Sequence, residues 1–514
     1  MFLKVLQFAR ELLGRFLFSP EDLQLLYGLY RASRSGNGAK KKSILVQMPQ
    51  DYSMLLRIAI LLGLLRPRKA AGVKLRIIRE PARRVSGRIY QFFQSAPILN
   101  YKWALFYRAI GVSKSLDYSR AARMDSERIR LRESLLEGCI TRRSVMELSI
   151  EGVSVGDLVY DTYIRFKPAP TVEPNDFFLK DLVMEAVNIY FLCKDFLDAH
   201  PVDQLITSYT SYIYHGILAR LCMARGIEVL ALGAGNQLLV KPTSAFPFHK
   251  RNFLKYKKWA DAYPNQDELR LMAGNLIENR ILGGRDQITS FMKTSAYSQV
   301  VTPISLDPHK KSAVIMAHDF YDSPHTWGDM LFDDFYEWLD FLLATASETN
   351  HDFYVKPHPN ALRESGPIYD SFFRKYPKIR KIDPSVSNLS IVRSGFQCAF
   401  TLNGTVAHEF SYLGLPTICA GTNPHSAFDF VRTAKSIDEF RSLIFELPNW
   451  EIHQEEILKF LFMHNYCFLK KGIPSNFGIE SAGEARAELK SNYNKMLAEM
   501  KLELETIGTD RDFL

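Results

Sequence analysis

The sequence predicts an α/β protein with two α/β domains in tandem and a helical C-terminal segment. Two observations lead to this prediction. Short apolar runs alternate with helix-length segments in both halves of the chain, the order that parallel sheets with crossover helices produce. The length of 514 residues, with 47% hydrophobic and 24% charged residues, fits several domains and excludes a wholly disordered chain.

The first segment of the chain predicts an amphipathic helix. Residues 2–17 place apolar side chains in one stripe at helical spacing. Charged residues interrupt this segment and no small-residue cleavage site follows, so a signal peptide is not favoured. Such a helix packs on a domain or lies in a membrane interface. A polar, lysine-rich linker follows, and residues 1–42 form one predicted N-terminal region.

A strand–helix–strand unit opens the first predicted domain, which covers residues 43–264. Apolar residues 43–48 and 73–78 predict the two strands. The apolar segment 51–65 between them predicts a helix with Asp51 as its N-cap. The longest apolar run of the chain, near residues 54–65, lies in this segment; Arg57 interrupts it, and it is shorter than the roughly 20 residues that span a bilayer.

A second unit of the same kind follows within this domain. Residues 203–208 and 227–232 predict strands, and residues 212–225 predict the helix between them, which Gly226 ends. The intervening residues 115–150 are rich in alternating charge and predict helices.

The second half of the chain begins with a predicted helical connector over residues 265–311. A second α/β domain over residues 312–450 follows, with five short apolar strand candidates at 313–317, 353–355, 379–382, 398–402 and 416–420. Residues 451–514 carry Glu, Lys, Leu and Met at helical spacing and predict C-terminal helices.

The net charge of +9 hides an asymmetry along the chain. Residues 1–150 contain 28 basic and 11 acidic side chains, and the remaining residues contain 37 and 45. The basic excess is densest over residues 66–88. A solvated face is the default interpretation of this stretch, and attraction to anionic lipid is the second. Nucleic-acid binding comes third, because no recognition motif supports it.

The six cysteines indicate a reducing compartment, and we expect a cytoplasmic protein, peripheral at the inner face of a membrane. The cysteines form no CxxC pair and no close Cys/His cluster, so no zinc site is predicted.

Three segments of the second domain combine a strand end with polar residues, where ligands of open α/β sheets bind. The first covers residues 317–325 and includes His318, Asp319, Asp322 and His325. Such a cluster suits phosphate binding or acid–base chemistry. The alternative is a turn in which Asp and Ser bond to the backbone.

The second segment covers residues 354–360. Pro357 and Pro359 fix the backbone around His358, and Lys356 adds a charge beside it. Rigid cationic donors suit a phosphate or a departing nucleotide. The alternative is a stiff loop with no ligand.

The third segment covers residues 402–409, where a strand meets a helix. Backbone N–H groups at Asn403 and Gly404 and the hydroxyl of Thr405 are able to hold a phosphate there. Glu409 lies one turn after Thr405, so both can face the same ligand, and its carboxylate can accept hydrogen bonds from ribose hydroxyls. The alternative is an ordinary N-cap with an acidic residue in the first turn.

These motifs carry a resemblance to a known class. The Lys-Pro-His-Pro run at 356–359, followed by residues 403–409 and Gly-Leu-Pro at 414–416, resembles the C-terminal domain of GT-B glycosyltransferases of bacterial capsule and surface polysaccharide biosynthesis. It is also similar to GT-B Kdo transferases and sialyltransferases. The resemblance covers residues 312–430 well and the N-terminal half weakly. It implies a GT-B-like fold, in which two Rossmann-like α/β domains face a cleft.

The resemblance also implies residue roles. His358 and Thr405 would contact the phosphates of a nucleotide-sugar donor, and Glu409 its ribose. Thr405 stands where many relatives carry Ser. The full predicted donor site consists of Lys356, His358, Asn403, Gly404, Thr405 and Glu409.

The candidate catalytic residues are His318 and Asp319 from the first segment, and Asp157 and Asp161 from the N-terminal domain, which commonly supplies the acceptor base in GT-B enzymes. His215 is a further candidate. A helix-capping role is the alternative for Asp157. We expect no cofactor and no metal, since no Asp-x-Asp pair stands at a strand end.

The predicted function is therefore transfer of a sugar from a nucleotide-sugar donor to a surface polysaccharide or a lipid-linked glycan. The expected partners are the donor, the glycan acceptor and an anionic membrane surface, without nucleic acid. The alternatives are polyol-phosphate transfer, sugar-nucleotide epimerisation, and a non-catalytic glycan- or nucleotide-binding partner of a transferase.

Overall fold

The computed structural model describes most of the chain between residues 19 and 507. The described ranges are 19–34, 42–77, 101–232, 238–284, 295–297, 304–328, 330–471, 479 and 481–507. The predicted amphipathic helix at 2–17 lies outside the described residues, and so does the part of the basic stretch beyond residue 77.

A six-stranded sheet forms the centre of the N-terminal domain. The strands of this part of the chain are β1 (Ser43–Gln47), β2 (Lys69–Lys74), β3 (Val112–Asp117), β4 (Ser149–Ile150), β5 (Val153–Ser154), β6 (Gln204–Thr207), β7 (Glu228–Leu232) and β8 (Leu239–Val240). The sheet order is β3-β2-β1-β6-β7-β8, and all neighbours are parallel except β7 and β8. Strands β4 and β5 form a separate hairpin.

Helices cover both faces of this sheet. They are α1 (Pro20–Ala32), α2 (Tyr52–Leu65), α3 (Tyr101–Ala109), α4 (Ser126–Gly138), α5 (Arg142–Met146), α6 (Gly156–Phe166), α7 (Phe177–Ala199) and α8 (Tyr212–Ala224). All five residues of β1 are buried, because a central parallel strand is covered on both sides. Leu45 belongs to one hydrophobic cluster, whereas Ile44 and Val46 belong to the cluster on the opposite face.

The C-terminal domain repeats this architecture. After α9 (Tyr256–Asp261) and α10 (Gln266–Ile281) come the strands β9 (Ser312–Met316), β10 (Asp352–Lys356), β11 (Arg380–Lys381), β12 (Cys398–Phe400), β13 (Thr417–Ala420) and β14 (Val431–Ala434). The strand order is β11-β10-β9-β12-β13-β14, and all neighbours are parallel. Both sheets thus have the doubly wound order 3-2-1-4-5-6 of Rossmann-like domains.

The helices of this second domain are α11 (Phe335–Ser347), α12 (Ser365–Lys375), α13 (Asn388–Arg393), α14 (Val406–Tyr412) and α15 (Ile437–Glu446). The protein is therefore a GT-B-like α/β protein with two Rossmann-like domains, as the sequence predicts. In each domain the strand order reverses at the first strand, which creates a crevice at the carboxyl ends of the central strands.

Three further helices close the chain: α16 (Gln454–His464), α17 (Tyr466–Lys471) and α18 (Ala482–Thr506). Helix α16 packs against α9 and α10. Helix α18 returns to the N-terminal domain, where it packs against α1 and α2. There the buried carboxylate of Glu503 accepts hydrogen bonds from the backbone N–H groups of Leu238 (3.4 Å) and Leu239 (2.7 Å).

Buried polar contacts join the two domains. The Tyr160 hydroxyl in α6 donates to Asp334 Oδ2 at 2.6 Å. Oδ1 of Asp161, in the same helix, lies 2.6 Å from Nδ1 of His325. His325 belongs to a short 3₁₀ turn at Pro324–Trp327. The two domains face a cleft beside these contacts.

Several predicted elements agree closely with the structure. Asp51 caps α2, since its side chain accepts from the backbone N–H of Met54 at 2.8 Å. Gly226 follows α8 with φ +71°, the left-handed conformation that ends a helix.

The second predicted strand is displaced. It was expected at 73–78 and runs over Lys69–Lys74. Its small residues form a weak β signal, but Gly72 allows the neighbouring side chains to approach closely, because a Cβ there would lie 2.3 Å from the sulfur of Met48 and 2.9 Å from Cγ1 of Val112. The structure also places strands β3 and β4 at either end of the segment 115–150, which was expected to be helical.

Candidate functional site

A cavity of about 320 Å³ lies at the carboxyl edge of the C-terminal sheet. It sits where the strand order reverses, between the ends of β9 and β12. The three polar segments expected from the sequence all reach it. Its lining includes His318, Lys356, His358, Asn403, Gly404, Thr405 and Glu409.

Lys356 supplies a buried cation to this cavity. Its side chain lies at the end of β10, and its Nζ donates to Asn388 Oδ1 at 2.7 Å. Burial lowers the pKa of Lys356 to about 8. The amine therefore remains mainly protonated at pH 7, and it has lost the water that would otherwise screen its charge.

His358 offers a hydrogen-bond donor of fixed orientation. Its Nδ1 accepts the backbone N–H of Asn360 at 3.1 Å. Burial lowers the pKa of His358 below its ordinary value, so the ring is neutral at pH 7 with its proton on Nε2. Pro357 and Pro359 restrict the backbone on both sides, which holds this donor at the cavity wall.

His318 organises the loop that follows β12. Its Nε2 lies 3.0 Å from the hydroxyl oxygen of Thr401 and accepts the backbone N–H groups of Leu402 and Asn403 at 3.3 and 3.4 Å. Its ring stacks on Phe335 at 4.7 Å between centroids. Burial lowers the pKa of His318 to about 3, so a neutral ring makes these contacts. The glycine at 404 is needed, since a Cβ there would lie 2.9 Å from Thr401 Oγ1.

Asp319 points away from the cavity. Its carboxylate accepts from Ser365 Oγ at 3.0 Å and from the backbone N–H of Leu362 at 3.3 Å. It thereby joins the end of β9 to the start of α12. The turn-forming alternative considered for this segment describes the contacts of Asp319 better than an acid–base role does.

Thr405 and Glu409 are one helical turn apart at the start of α14, and both line the cavity. The hydroxyl of Thr405 makes no capping hydrogen bond within the helix. The two carboxylate oxygens of Glu409 already accept from Arg280 Nη1 (3.2 Å) and from the hydroxyl of Tyr297 (2.9 Å). Any ribose hydroxyl would have to share these oxygens.

Arg280 and Tyr297 are two of the cavity residues that the sequence motifs did not reveal. Arg280 lies on α10, far along the chain from the strand ends. A signal for it exists in the sequence: its helix buries Leu269, Ala273 and Ile277, and Arg280 continues the same stripe. An arginine on the apolar face of an amphipathic helix requires a buried partner, which Glu409 provides.

The N-terminal catalytic candidates lie outside this cavity. Asp157 in α6 forms a two-pronged ion pair with Arg220, with oxygen–nitrogen distances of 2.6 and 2.5 Å. Burial would raise the pKa of Asp157, but the guanidinium holds it below its ordinary value. Asp161 is buried against His325. Burial would lower the pKa of His325, but the carboxylate of Asp161 raises it.

A second cavity of about 620 Å³ lies in the cleft between the domains. Asp157 and Arg220 line it from the N-terminal domain, and Trp327 lines it from the C-terminal domain. The rings of Phe246, Phe248 and Trp327 are partly exposed and form one wall, and the fully buried ring of Phe253 packs edge-to-face against Phe246 at 5.6 Å and Trp327 at 5.7 Å. Trp327 also lines the first cavity.

The crevice of the N-terminal sheet holds His215. Its Nδ1 lies 2.8 Å from Oε1 of Gln47 at the end of β1, and the hydroxyl of Thr207 at the end of β6 lies 2.6 Å from the same oxygen. Burial lowers the pKa of His215 to about 4, so the ring is neutral at pH 7.

The residues that the structure describes contain no group of three or more His, Cys, Asp and Glu side chains arranged to hold a metal ion. No helix among them is both long and apolar enough to cross a bilayer.

Comparison with known proteins gives similarities at the level of structure. No protein-family model matches the sequence, and no curated protein matches it. Among solved structures, the β-Kdo 2,4 transferase KpsC from Thermosulfurimonas dismutans is 12% identical and has a TM-score of 0.30, with 51% of this chain and 79% of that chain covered. The β-Kdo 2,7 transferase KpsC of the same organism is 14% identical, with a TM-score of 0.31 and coverages of 53% and 80%.

A third similar structure is the UDP-GlcNAc 2-epimerase from Methanocaldococcus jannaschii. It is 10% identical, with a TM-score of 0.25, and the match covers 82% of this chain and 99% of that chain. All three TM-scores lie below 0.5, so the fold class of this protein rests on its own strand order.

Proposed function

We propose that this protein transfers a sugar from a nucleotide-sugar donor to a surface polysaccharide or a lipid-linked glycan. The donor binds in the first cavity, on the C-terminal domain. The observation that supports this most directly is the convergence of three strand-end segments on one cavity at the point where the strand order reverses.

The chemistry of the cavity suits a nucleoside diphosphate or a nucleoside monophosphate. Lys356 and Arg280 provide buried positive charge, and His358 presents a fixed Nε2–H donor. Cationic groups and hydrogen-bond donors held in a dry cavity stabilise the charge that develops on a leaving nucleotide. We assign Thr405 and the backbone of residues 403–404 to the phosphates, and Glu409 to the ribose.

The acceptor glycan binds in the second cavity. Partly exposed aromatic rings such as Phe248 and Trp327 provide flat apolar surfaces for the C–H faces of sugars, and the Asp157–Arg220 pair provides polar contacts. The acceptor base remains a choice between Asp157 and Asp161, and Asp157 is favoured because it lines this cavity. The basic N-terminal part of the chain brings the protein to an anionic acceptor or an anionic membrane surface on the cytoplasmic side.

Calorimetric titration with UDP, CMP and GDP tests the donor site. We expect wild-type protein to bind at least one of the three. His358→Ala and Glu409→Ala should each weaken that binding about tenfold or more, the value of one hydrogen bond to a charged group. His309→Ala, at an exposed histidine three residues before β9, is the matched control. Unchanged affinity in both cavity variants would show that the donor site is elsewhere.

Turnover assays distinguish the reaction types. Release of nucleotide only when a glycan acceptor is present supports transfer. Interconversion of nucleotide sugars without an acceptor indicates an epimerase. Release of CMP from a CDP-linked polyol, with the polyol phosphate passing to the acceptor hydroxyl, indicates polyol-phosphate transfer. Nucleotide binding without turnover, across a broad panel of acceptors, indicates a non-catalytic binding partner.

A further inference from the structure

A line of buried polar side chains runs from the first cavity into the C-terminal domain. It starts at Arg280 in the cavity wall and continues through His408 in α14, His425 and Asn423. All four side chains are at most 4% exposed. The proposed donor site uses Glu409 from the same helix, but it leaves the two histidines without a role.

The distances along this line are those of hydrogen bonds. Arg280 Nη1 lies 3.0 Å from His408 Nε2, His408 Nδ1 lies 3.0 Å from His425 Nε2, and His425 Nδ1 lies 3.2 Å from Asn423 Oδ1. Asn423 is itself fixed, since its amide nitrogen donates to the carbonyl oxygen of Gly421 and to the hydroxyl of Thr433.

Only one arrangement of protons gives each of these side chains a hydrogen-bond partner of the right kind at every contact. The guanidinium of Arg280 can only donate, so Nε2 of His408 must accept and its proton must sit on Nδ1. That proton is donated to Nε2 of His425, whose own proton therefore sits on Nδ1 and is donated to Asn423. Burial lowers the pKa of His425 to about 3 and that of His408 well below 6.5, in keeping with two neutral rings.

We infer that His425 and Asn423 are positioning residues, which fix the tautomer of His408 and thereby hold the guanidinium of Arg280 against the donor cavity. This inference rests on the proposed function, because it assigns Arg280 to the binding of the nucleotide. Arg280 reaches the cavity from a helix that precedes the C-terminal sheet. It is held there from two sides, by Glu409 and by His408.

Replacing His425 by Phe removes the acceptor for His408 and keeps an aromatic ring in the pocket. The pocket suits this change, since His425 already packs against Phe460 at 4.5 Å and Phe430 at 5.8 Å. In His425→Phe the Nδ1 proton of His408 has no acceptor, the other tautomer becomes favourable, and its Nε2–H then opposes Arg280.

The nucleotide test is a double-mutant cycle on the full chain, with the dissociation constant of UDP, CMP or GDP as its readout. Arg280→Ala should weaken binding about tenfold or more, and His425→Phe about three- to tenfold. In the Arg280→Ala background, His425→Phe should have no further effect. Phe430→Leu is the packing control, which should lower the unfolding temperature and leave the affinity unchanged.

An equal effect of His425→Phe with and without Arg280 would overturn the inference, because the histidine would then act on stability or packing alone. A second measurement needs no nucleotide.

NMR spectra of protein labelled with ¹⁵N-histidine should show the Nδ1–H tautomer for His408. In His425→Phe the tautomer of His408 should shift towards Nε2–H. An Nε2–H tautomer in the wild type would overturn the inference even if the proposed function holds. Failure of the wild type to bind any nucleotide, with the expected tautomers present, would overturn the assignment of Arg280 to the nucleotide and the proposed function together.

Discussion

At the scale of single residues, burial decides which groups in the first cavity keep their charge. Lys356 and Arg280 both lie in its wall, but only the amine can lose its proton near neutral pH. The histidines around them are neutral, because burial lowers the pKa values of His318, His358 and His408. Positive charge in this cavity therefore comes from two side chains, and hydrogen bonding comes from the rings and the backbone.

This difference predicts a pH dependence of nucleotide binding. Deprotonation of Lys356 removes a cation from the site, so affinity should fall as the pH rises through about 8, or somewhat above it because a bound phosphate raises the pKa of the amine. In Lys356→Arg the affinity for nucleotide should stay constant up to about pH 10, since arginine stays protonated. Lys356→Met should lower affinity about tenfold at pH 7.

Isothermal titration calorimetry between pH 6.5 and 10 measures these profiles. Lys378→Met, at an exposed lysine of the same domain, is the control and should follow the wild type. Identical profiles for the wild type and Lys356→Arg would mean that another group controls the pH dependence.

At the scale of elements, the central strands and their ends were predictable from sequence. Residues of β9 and β12 form continuous apolar runs because helices cover both faces of the sheet. The carboxyl ends of parallel strands meet at one edge, so the polar residues after β9, β10 and β12 had to converge. This is why Lys356, His358 and Thr405 could be assigned to one cavity in advance.

Elements defined by tertiary contacts could not be predicted in the same way. The edge strands β3 and β14 carry exposed polar residues, so they lack the apolar run of a central strand. Asp157 and Arg220 are 63 residues apart in the sequence and lie on two different helices, so no local sequence pattern indicates their ion pair. Arg280 likewise meets Glu409 because α10 and α14 both pack against α16.

The attachment of α18 to the N-terminal sheet leads to a stability prediction. Glu503→Ala removes the acceptor for the buried N–H groups of Leu238 and Leu239, so the free energy of unfolding should fall by about 1–3 kcal/mol. Glu505→Ala, at an exposed site on the same helix, should change it by less than about 0.5 kcal/mol. Urea denaturation followed by circular dichroism gives both values, and equal effects of the two variants would contradict this role for Glu503.

At the scale of the whole molecule, the chain crosses between its two domains more than once. Helix α18 follows the C-terminal domain and packs on the N-terminal one, and α6 contributes both Tyr160 and Asp161 to the domain contact. Domains tied in this way should unfold together, so we expect a single cooperative transition in calorimetry.

The buried pair of Asp161 and His325 should account for part of this coupling. Its two side chains are 4% and 7% exposed, and removal of one partner from such a pair costs about 3–5 kcal/mol. Asp161→Ala and His325→Ala should each lower the unfolding temperature by several degrees. The double variant should be less destabilised than the two effects added, by about 1 kcal/mol or more.

The sign of the pH effect follows from the pKa of His325, which Asp161 raises in spite of burial. Burial raises the pKa of Asp161, so the stability that the ion pair contributes is present above that pKa and below about pH 6.5, the pKa of histidine in the unfolded chain. It is lost as the pH rises through the raised pKa of His325. The difference in unfolding temperature between the wild type and His325→Ala should therefore be largest in mildly acidic solution and should shrink as the pH rises. A difference that grows with pH would show that Asp161 and His325 meet as neutral groups, and the coupling of the domains would then rest on Tyr160, Asp334 and α18.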